Sequence, residues 1–473
     1  MTTTQKYDAA IIGSGPAGVR AAIQCAQKGK RAVVIDRREF KLGGVSLHTG
    51  TIPSKTLREA VLYLKGMRRS KIYGKSHRFN ENITLKDLQE RVEIILAHEL
   101  SVIKTQLNNN HVDVIYGQAS FLDPHTLEIK NYTGDTVAKI TADIIFIATG
   151  TIPRHPDDVP IDYKTILDGN FIFSHRNKVE ELPKSLIVYG AGVIGSEYAA
   201  MIAALGSKVW LVDNMPRLFP FVDSEIVAVL KEQFDQLGIN LMMGHPYTSF
   251  AVTPAGKGRL ETEDGTIVEA DAILFSKGRV PCVDPLNLDR VGVAVTDKKL
   301  VQVDDHYRTT VSHIYACGDV IGFPALASTS TEQGRLAARY ALNLDVPYNR
   351  PELFPIAIYT IPEIAMIGKT EEQLIAENIP YEKGLATYRE IAKAAISGDD
   401  TGLIKILFHR ETHDILGVHI VGDQAAEIVH IGQLVMTLKG KLDTIIQNVF
   451  NYPTWAEGYK VAALNGLSRL KSG

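Results

Sequence analysis

The sequence predicts an α/β protein with two separate dinucleotide-binding domains and a carboxyl-terminal α+β association domain. Three observations carry that prediction. A strand, a glycine-rich turn and a helix open the chain, and the same pattern returns at 185–213. The residues after 349 then change to alternating apolar stretches with a helical segment among them.

The first unit begins with Tyr7-Asp8-Ala9-Ala10-Ile11-Ile12, a strand-like run that leads into Gly13-Ser14-Gly15-Pro16-Ala17-Gly18. A helix of small residues follows from Val19 to Lys28, then a strand from Arg31 to Ile35 with Asp36 at its tip. A lone GxGxxG is weak evidence, because glycine turns arise by chance in long chains. An apolar strand before it and an acid at the end of the next strand make it a Rossmann-like fingerprint. Gly13 makes the tight turn, Gly15 lets the backbone approach a pyrophosphate, and Gly18 lets the helix pack against the strand. The helix amino terminus favours the phosphate charge, and Asp36 is suited to accept from a ribose hydroxyl. In that context a ligand-free structural unit is set aside.

The second unit repeats each part. Ser185-Leu186-Ile187-Val188-Tyr189 is a strand, followed by Gly190-Ala191-Gly192-Val193-Ile194-Gly195 and a helix from Ser196 to Leu205. Lys208 to Val212 is the next strand, with Asp213 at its tip. Two fingerprints mean two dinucleotide sites. Connectors containing proline flank this unit, Ile152-Pro153 before it and Val280-Pro281 after it, so it reads as an insertion into the first. The expected division is 1–150 and 282–348 for the first domain, 151–281 for the second, and 349–473 for the association domain. Between the fingerprints, Leu88, Val92, Ile95, Leu96 and Ile103 fall at helical spacing within 85–107 and mark an amphipathic packing helix. Leu403 to Phe408 and Ile415 to Val421 read as strands of an antiparallel sheet, and Ala425 to Leu438 as a helix beside them.

Composition excludes several classes. The chain has 473 residues, 45% hydrophobic content and a net charge of −3. That leaves no basic field for nucleic acid and no polybasic membrane patch. No apolar run approaches the length of a membrane span. The strand at Tyr7 begins too early to leave room for a signal or transit peptide. Cys25, Cys282 and Cys317 are scattered without CxxC or metal spacing, as in a reducing compartment. The 14 histidines form no HxH cluster, so no metal is expected. The expectation is a soluble cytoplasmic protein.

The segment Gly43-Gly44-Val45-Ser46-Leu47-His48-Thr49-Gly50-Thr51-Ile52-Pro53-Ser54-Lys55 narrows the function. It resembles the redox loop of the pyridine nucleotide–disulfide oxidoreductases, G-G-x-C-x-x-x-x-C-I-P-S-K, with Ser46 and Thr51 at the cysteine positions. The likeness is collinear over nearly the whole chain. Ala148-Thr149-Gly150, Gly278-Arg279-Val280-Pro281, Tyr315-Ala316-Cys317-Gly318-Asp319 and Tyr359-Thr360-Ile361-Pro362-Glu363 all resemble motifs of that family in order. The resemblance implies a glutathione reductase-like fold, one FAD, NAD(H) and NADP(H) as substrates, and a homodimer or higher homo-oligomer. It places the cofactor-binding residues at Gly13, Gly15, Gly18, Asp36, Gly44, Lys55, Ala119, Thr149, Gly150, Asp319 and Ala327. In the second unit it adds Gly190, Gly192, Gly195, Glu197, Asp213, Arg217 and Gly278. Lys55 and Glu197 are implied as an ion pair beside the flavin and are the catalytic candidates. A helix from about Ser328 to Leu344 would direct its positive end at the flavin's pyrimidine carbonyl.

The departures from the family are as informative. Neither hydroxyl at 46 or 51 can cycle between thiolate and disulfide. The family's histidine before Pro-Thr is Tyr452 here, and a phenol near pKa 10 replaces an imidazole near about 6.5. The thiols and their base are lost together. Gly50–Lys55 and Tyr459-Lys460-Val461-Ala462-Ala463-Leu464-Asn465-Gly466-Leu467 resemble the soluble, Si-specific pyridine nucleotide transhydrogenases, which keep Thr at 51 but often keep cysteine at 46. That branch also carries a neutral residue at 213 and an arginine at 215, where this chain has Asp213 and Met215. An acid there favours the free ribose of NAD and repels a 2′-phosphate, leaving Arg217 as the nearest cation in sequence. The implied activity is transfer of hydride between NADPH and NAD+ by way of FAD in ping-pong order. An NAD(P)H:quinone reductase, or diaphorase, on the same scaffold is the alternative. A flavin-binding protein acting only by association is the third reading, disfavoured by the retained Lys55 and Glu197.

Overall fold

A computed structural model describes residues 4–39, 41–64, 84–170, 181–346 and 353–472. The chain divides into two compact units. One comprises Met1–Thr56, Gln89–Arg154 and Gly278–Pro351; the other comprises Leu57–Leu88, His155–Lys277 and Glu352–Gly473.

In the first unit Gln5–Ile12 lies in parallel between Ala32–Asp36 and Thr136–Ile147, and Asp113–Tyr116 extends the sheet beyond Ala32–Asp36. Ile314–Ala316 pairs in parallel with the end of Thr136–Ile147, and two antiparallel strands, Thr126–Lys130 and Gln118–Asp123, complete the other edge. The register pairs Ile12 with Ile35 and Ile147, and Ile147 with Ala316, so four strands end level with one another. Apolar runs such as Ala9–Ile12 suit strands covered on both faces. The helix Pro16–Ala26 starts with proline at its first position, where the missing N–H costs nothing. It packs against the helix Ala327–Ala341 so closely that a Cβ on Gly334 would stand 2.0 Å from the Ala17 carbonyl oxygen. The two proline-containing connectors pair with each other, Val280 opposite Ile152, as an antiparallel ribbon.

The segment resembling a redox loop is largely helical. Gly44–His48 is one short helix, and a second runs from Thr51 to Leu64, with Lys55 inside it. Pro53 is tolerated because N–H groups in a helix's first turn have no acceptor within the helix.

In the second unit the strands Ile239–Met243, Lys208–Asp213, Ser185–Tyr189, Ala272–Phe275 and Ile166–Asp168 form a parallel sheet in that order. The same unit holds a five-stranded antiparallel sheet, ordered Ile356–Ile358, Ile364–Gly368, Ile415–Gly422, Gly402–His409 and Tyr381–Thr387. Ala425–Thr437 and Glu457–Ser472 are its main helices. The strands read from 403–408 and 415–421 are therefore neighbours, and the amphipathic segment at 85–107 is the helix Leu85–Asn109. Among the described residues no helix is long and apolar enough to cross a membrane.

Candidate active site

The level strand ends of the first unit gather Gly13, Asp36, Ala148 and Cys317 on one edge of the sheet, where ligands of such sheets bind. Gly13 has φ +108° and its N–H donates to Ile35 O at 2.8 Å. A Cβ there would lie 2.3 Å from Ala148 O, and one on Gly18 would lie 1.9 Å from Gly13 O. Both positions admit only glycine. Gly15 differs, since its Cβ would meet nothing within 4 Å. Two glycines close the turn and the middle one faces open space, which fits a pyrophosphate lying against the backbone.

The other candidates of this unit surround that turn. Gly44, at φ +62°, brings its Cβ direction within 3.0 Å of Gly15 Cα. Asp36 accepts from the Ser14 N–H at 3.1 Å, from the Ser14 hydroxyl, and from the Arg38 N–H at 3.2 Å. Ala119 is buried within Gln118–Asp123. Thr149 Oγ1 is buried without a hydrogen-bond partner, and Gly150 at φ +65° faces open space. An orphaned hydroxyl beside an open glycine fits a polar ligand. Asp319 follows the strand Ile314–Ala316 and accepts from Thr151 Oγ1 at 3.2 Å and Ser330 Oγ at 3.4 Å. The Gly318 N–H donates to Gln333 Oε1 at 2.8 Å, and Ala327 is the first residue of its helix.

At the positions of the family's cysteines, the Ser46 hydroxyl donates to Gly43 O at 3.0 Å and Thr51 is exposed. Lys55, half-buried on the second turn of its helix, donates to Ser54 Oγ at 3.3 Å. His48 bonds Leu42 O at 2.8 Å, and burial holds its pKa below the ordinary value. It is a structural histidine. Burial pushes the thiols of Cys25 and Cys317 up to about 12, so neither is a thiolate at neutral pH. No group of three or more potential metal ligands occurs among the described residues. Tyr452 is 69% exposed.

The second unit repeats the cradle. Gly190 has φ +117°, its N–H donates to Val212 O at 2.8 Å, and its Cβ would lie 2.7 Å from Ser276 O. A Cβ on Gly195 would lie 1.9 Å from Gly190 O, whereas Gly192 faces open space. Glu197 is buried, with Oε1 accepting from the Tyr359 N–H at 2.9 Å. Burial removes the reading of Glu197 as a solvated helix carboxylate. Gly278, at φ +93°, is exposed in the first unit, where its carbonyl accepts from the Arg154 N–H at 3.1 Å.

At the strand tip Asp213 is 5% exposed, and its cation is not the one nearest in sequence. Asp213 Oδ2 accepts from the Ala191 N–H at 2.7 Å; Oδ1 accepts from the Met215 N–H at 2.8 Å and from Lys277 Nζ at 2.9 Å. Arg217 is committed elsewhere, its Nη2 donating to Val222 O at 2.8 Å and Glu372 Oε1 at 3.2 Å. Sequence reasoning missed Lys277. Its position just before Gly278-Arg279-Val280-Pro281, at the end of a strand of this sheet, was the available signal. Ser14 and Gln333, which hold Asp36 and Gly318, were missed as well.

Residues 7–334 match the profile described as pyridine nucleotide-disulphide oxidoreductase, and residues 354–463 match that family's dimerisation domain. A soluble pyridine nucleotide transhydrogenase of Mycobacterium bovis is 44% identical over 468 residues, spanning 99% of this chain and 98% of the relative. One from Photobacterium profundum is 40% identical over 483 residues, covering 99% and 100%. Among solved structures, LpdA of Mycobacterium tuberculosis superposes with TM-score 0.88 at 28% identity, covering 98% of this chain and 99% of that one. The flavoprotein disulfide reductase RclA of Escherichia coli has TM-score 0.85 at 24% identity, covering 97% and 99%, a likeness of fold alone. With the profile spanning its two glycine cradles and the dimerisation profile its antiparallel sheet, the chain belongs to the pyridine nucleotide-disulphide oxidoreductase family.

Proposed function

We propose that the protein is an FAD-dependent NAD(P)+ transhydrogenase that moves hydride between NADPH and NAD+ in ping-pong order, without a redox disulfide. The observation that carries the reading is the pair of hydroxyls at 46 and 51 within an otherwise family-like FAD unit. A member of this family uses FAD and nicotinamide nucleotides, and its full-length relatives at 39–44% identity bear the transhydrogenase name. FAD, when bound, supplies at N5 a group that accepts and returns hydride. The chain's part is to hold and orient. Gly13, Gly15 and Gly18 seat one pyrophosphate, Asp36 its ribose, and Asp319 the ribityl chain. Thr149, Gly150, Gly44, Ala119 and Ala327 line the same cofactor. Gly190, Gly192 and Gly195 seat the nicotinamide nucleotide, with Asp213 at its adenosine ribose; Gly278 is a further nucleotide-binding residue. Lys55 and Glu197 are the catalytic residues of this reading. One nicotinamide domain serves donor and acceptor in turn, which requires the first product to leave before the second substrate enters.

The test is stopped-flow reduction of the yellow protein by NADPH, followed by NAD+ or a quinone. Reduction by NADPH, reoxidation by NAD+ and parallel-line steady-state kinetics are the expected results. Reduction by NADH with no detectable reaction of NADPH would replace this reading by the NAD(P)H:quinone reductase.

A second expected result concerns sulfur. Neither glutathione, lipoamide nor thioredoxin should be reduced, and two-electron reduction should produce no thiolate-to-flavin charge-transfer absorbance. Such a band, persisting after Cys25, Cys282 and Cys317 are replaced, would sink the disulfide-free reading.

A further inference from the structure

We propose that Lys277 sets nucleotide selectivity by neutralising Asp213 and supplying the cation for a 2′-phosphate. One ribose subsite then accepts both NAD(H) and NADP(H). The inference rests on the transhydrogenase reading, since only that function asks one site to hold both.

The geometry begins with the strand order. Ala272–Phe275 lies beside Ser185–Tyr189, and Ser276 packs beneath the glycine turn, its Oγ donating to Gly190 O at 2.9 Å. Lys277 therefore emerges next to the turn and reaches across to Asp213 Oδ1 and to Asn214 Oδ1. A carboxylate offers about four lone-pair positions. Three on Asp213 are taken by Ala191, Met215 and Lys277, which leaves Oδ2 a place for a ribose hydroxyl.

Charge decides the rest. An unpaired acid at this tip repels a 2′-phosphate, and that repulsion is the usual basis for selecting NAD. The pair of Asp213 with Lys277 carries no net charge, so the repulsion is cancelled at its source. Lysine is a point charge with three rotatable donors on a flexible stem. Two point at Asp213 and Asn214, and a third can meet a phosphate oxygen without breaking the pair. Arg217 is poorly placed for this role, because Val222 O and Glu372 hold its guanidinium, and Glu372 also accepts from the Ser224 N–H at 3.0 Å.

The experiment titrates FAD-loaded protein with adenosine 2′,5′-bisphosphate and with 5′-AMP by calorimetry. Wild type, Lys277→Met, Lys277→Arg and Arg217→Ala are compared. In Lys277→Met the affinity ratio of bisphosphate to monophosphate should fall about tenfold or more, the scale of one charge-assisted hydrogen bond to phosphate. Lys277→Arg should restore it to within about threefold, and Lys277→Gln serves if the methionine variant loses FAD. A ratio that moves less than about threefold on loss of Lys277, or that collapses only in Arg217→Ala, overturns the inference. Wild-type turnover is read in parallel. If the ratio depends on Lys277 but NADPH does not reduce NAD+, the selectivity inference stands and the transhydrogenase reading falls.

Discussion

Replacing Lys405 by methionine is expected to destabilise the second unit by about 3–5 kcal/mol, the cost of removing one partner from a buried ion cluster. Lys405 lies in the strand Gly402–His409 with no exposed side-chain surface, 2.9 Å from Asp223 Oδ2 and in contact with Glu225 and Glu371. Asp223 is itself buried and caps the helix Ser224–Gln236, accepting from the Glu225 N–H at 3.1 Å. Lys383 adds a second cation to Glu225 and Glu371. Burial acts to lower the Lys405 pKa, but Glu225, Glu371 and Asp223 together hold it above its ordinary value. Without Lys405 the buried Asp223 carboxylate loses its ammonium, and Glu225 and Glu371 keep only Lys383. Urea unfolding with an unchanged slope and a lower midpoint is the expected signature. A loss below about 1 kcal/mol, the scale of an exposed pair, would contradict it.

The acid side of the stability curve gives the same cluster a second reading. Burial acts to raise Glu371 and Glu372, yet hydrogen bonds and Lys405 hold Glu371 below its ordinary value, and hydrogen bonds from Ser224 and its own backbone hold Glu372 at about 2. Folded values below unfolded ones stabilise the protein above the unfolded carboxyl pKa, near about 4.3 for glutamate. That contribution is lost as pH falls from there toward 2. In Lys405→Met the gap to wild type should narrow over that acid range, because protonation relieves carboxylates that are unpaired only in the variant.

Replacing Lys55 by methionine is expected to slow flavin reduction by about 10²–10³, with FAD still co-purifying. Loss of one preorganised group facing developing charge costs on the order of 2.7–4 kcal/mol in the barrier. Lys55 is half-buried on the second turn of Thr51–Leu64. Partial burial weakens solvent screening of its charge, and methionine keeps the length of the stem while deleting the ammonium. The flavin reduction potential should fall in the same variant, which a merely structural lysine would not cause. An unchanged rate of reduction by NADPH and an unchanged potential would remove Lys55 from the mechanism.

Features set by a few consecutive residues were legible from the sequence. The turns at Gly13–Gly18 and Gly190–Gly195 depend on strand, glycine spacing and helix start, and the same close carbonyl contacts recur in both. Acids at the strand tips, hydroxyls at 46 and 51, and apolar alternation at 403–408 and 415–421 are likewise local. The helix Thr51–Leu64 accommodates Pro53 because that residue falls in its first turn.

Only the tertiary structure decided which charges meet. Lys277 and Asp213 are 64 residues apart, and they touch because Ala272–Phe275 enters the sheet beside Ser185–Tyr189. Arg217, four residues from Asp213, turns instead to Glu372. In the run Leu403-Ile404-Lys405-Ile406-Leu407 the lysine is the single charge, and nothing nearby in sequence names its partner. The structure buries it because Asp223, at the start of Ser224–Gln236, lies against that side chain. Sequence determined the cradles, since backbone turns obey local sterics. Tertiary structure determined the charge partners, since Coulomb attraction depends on distance in space and burial, neither of which sequence separation records.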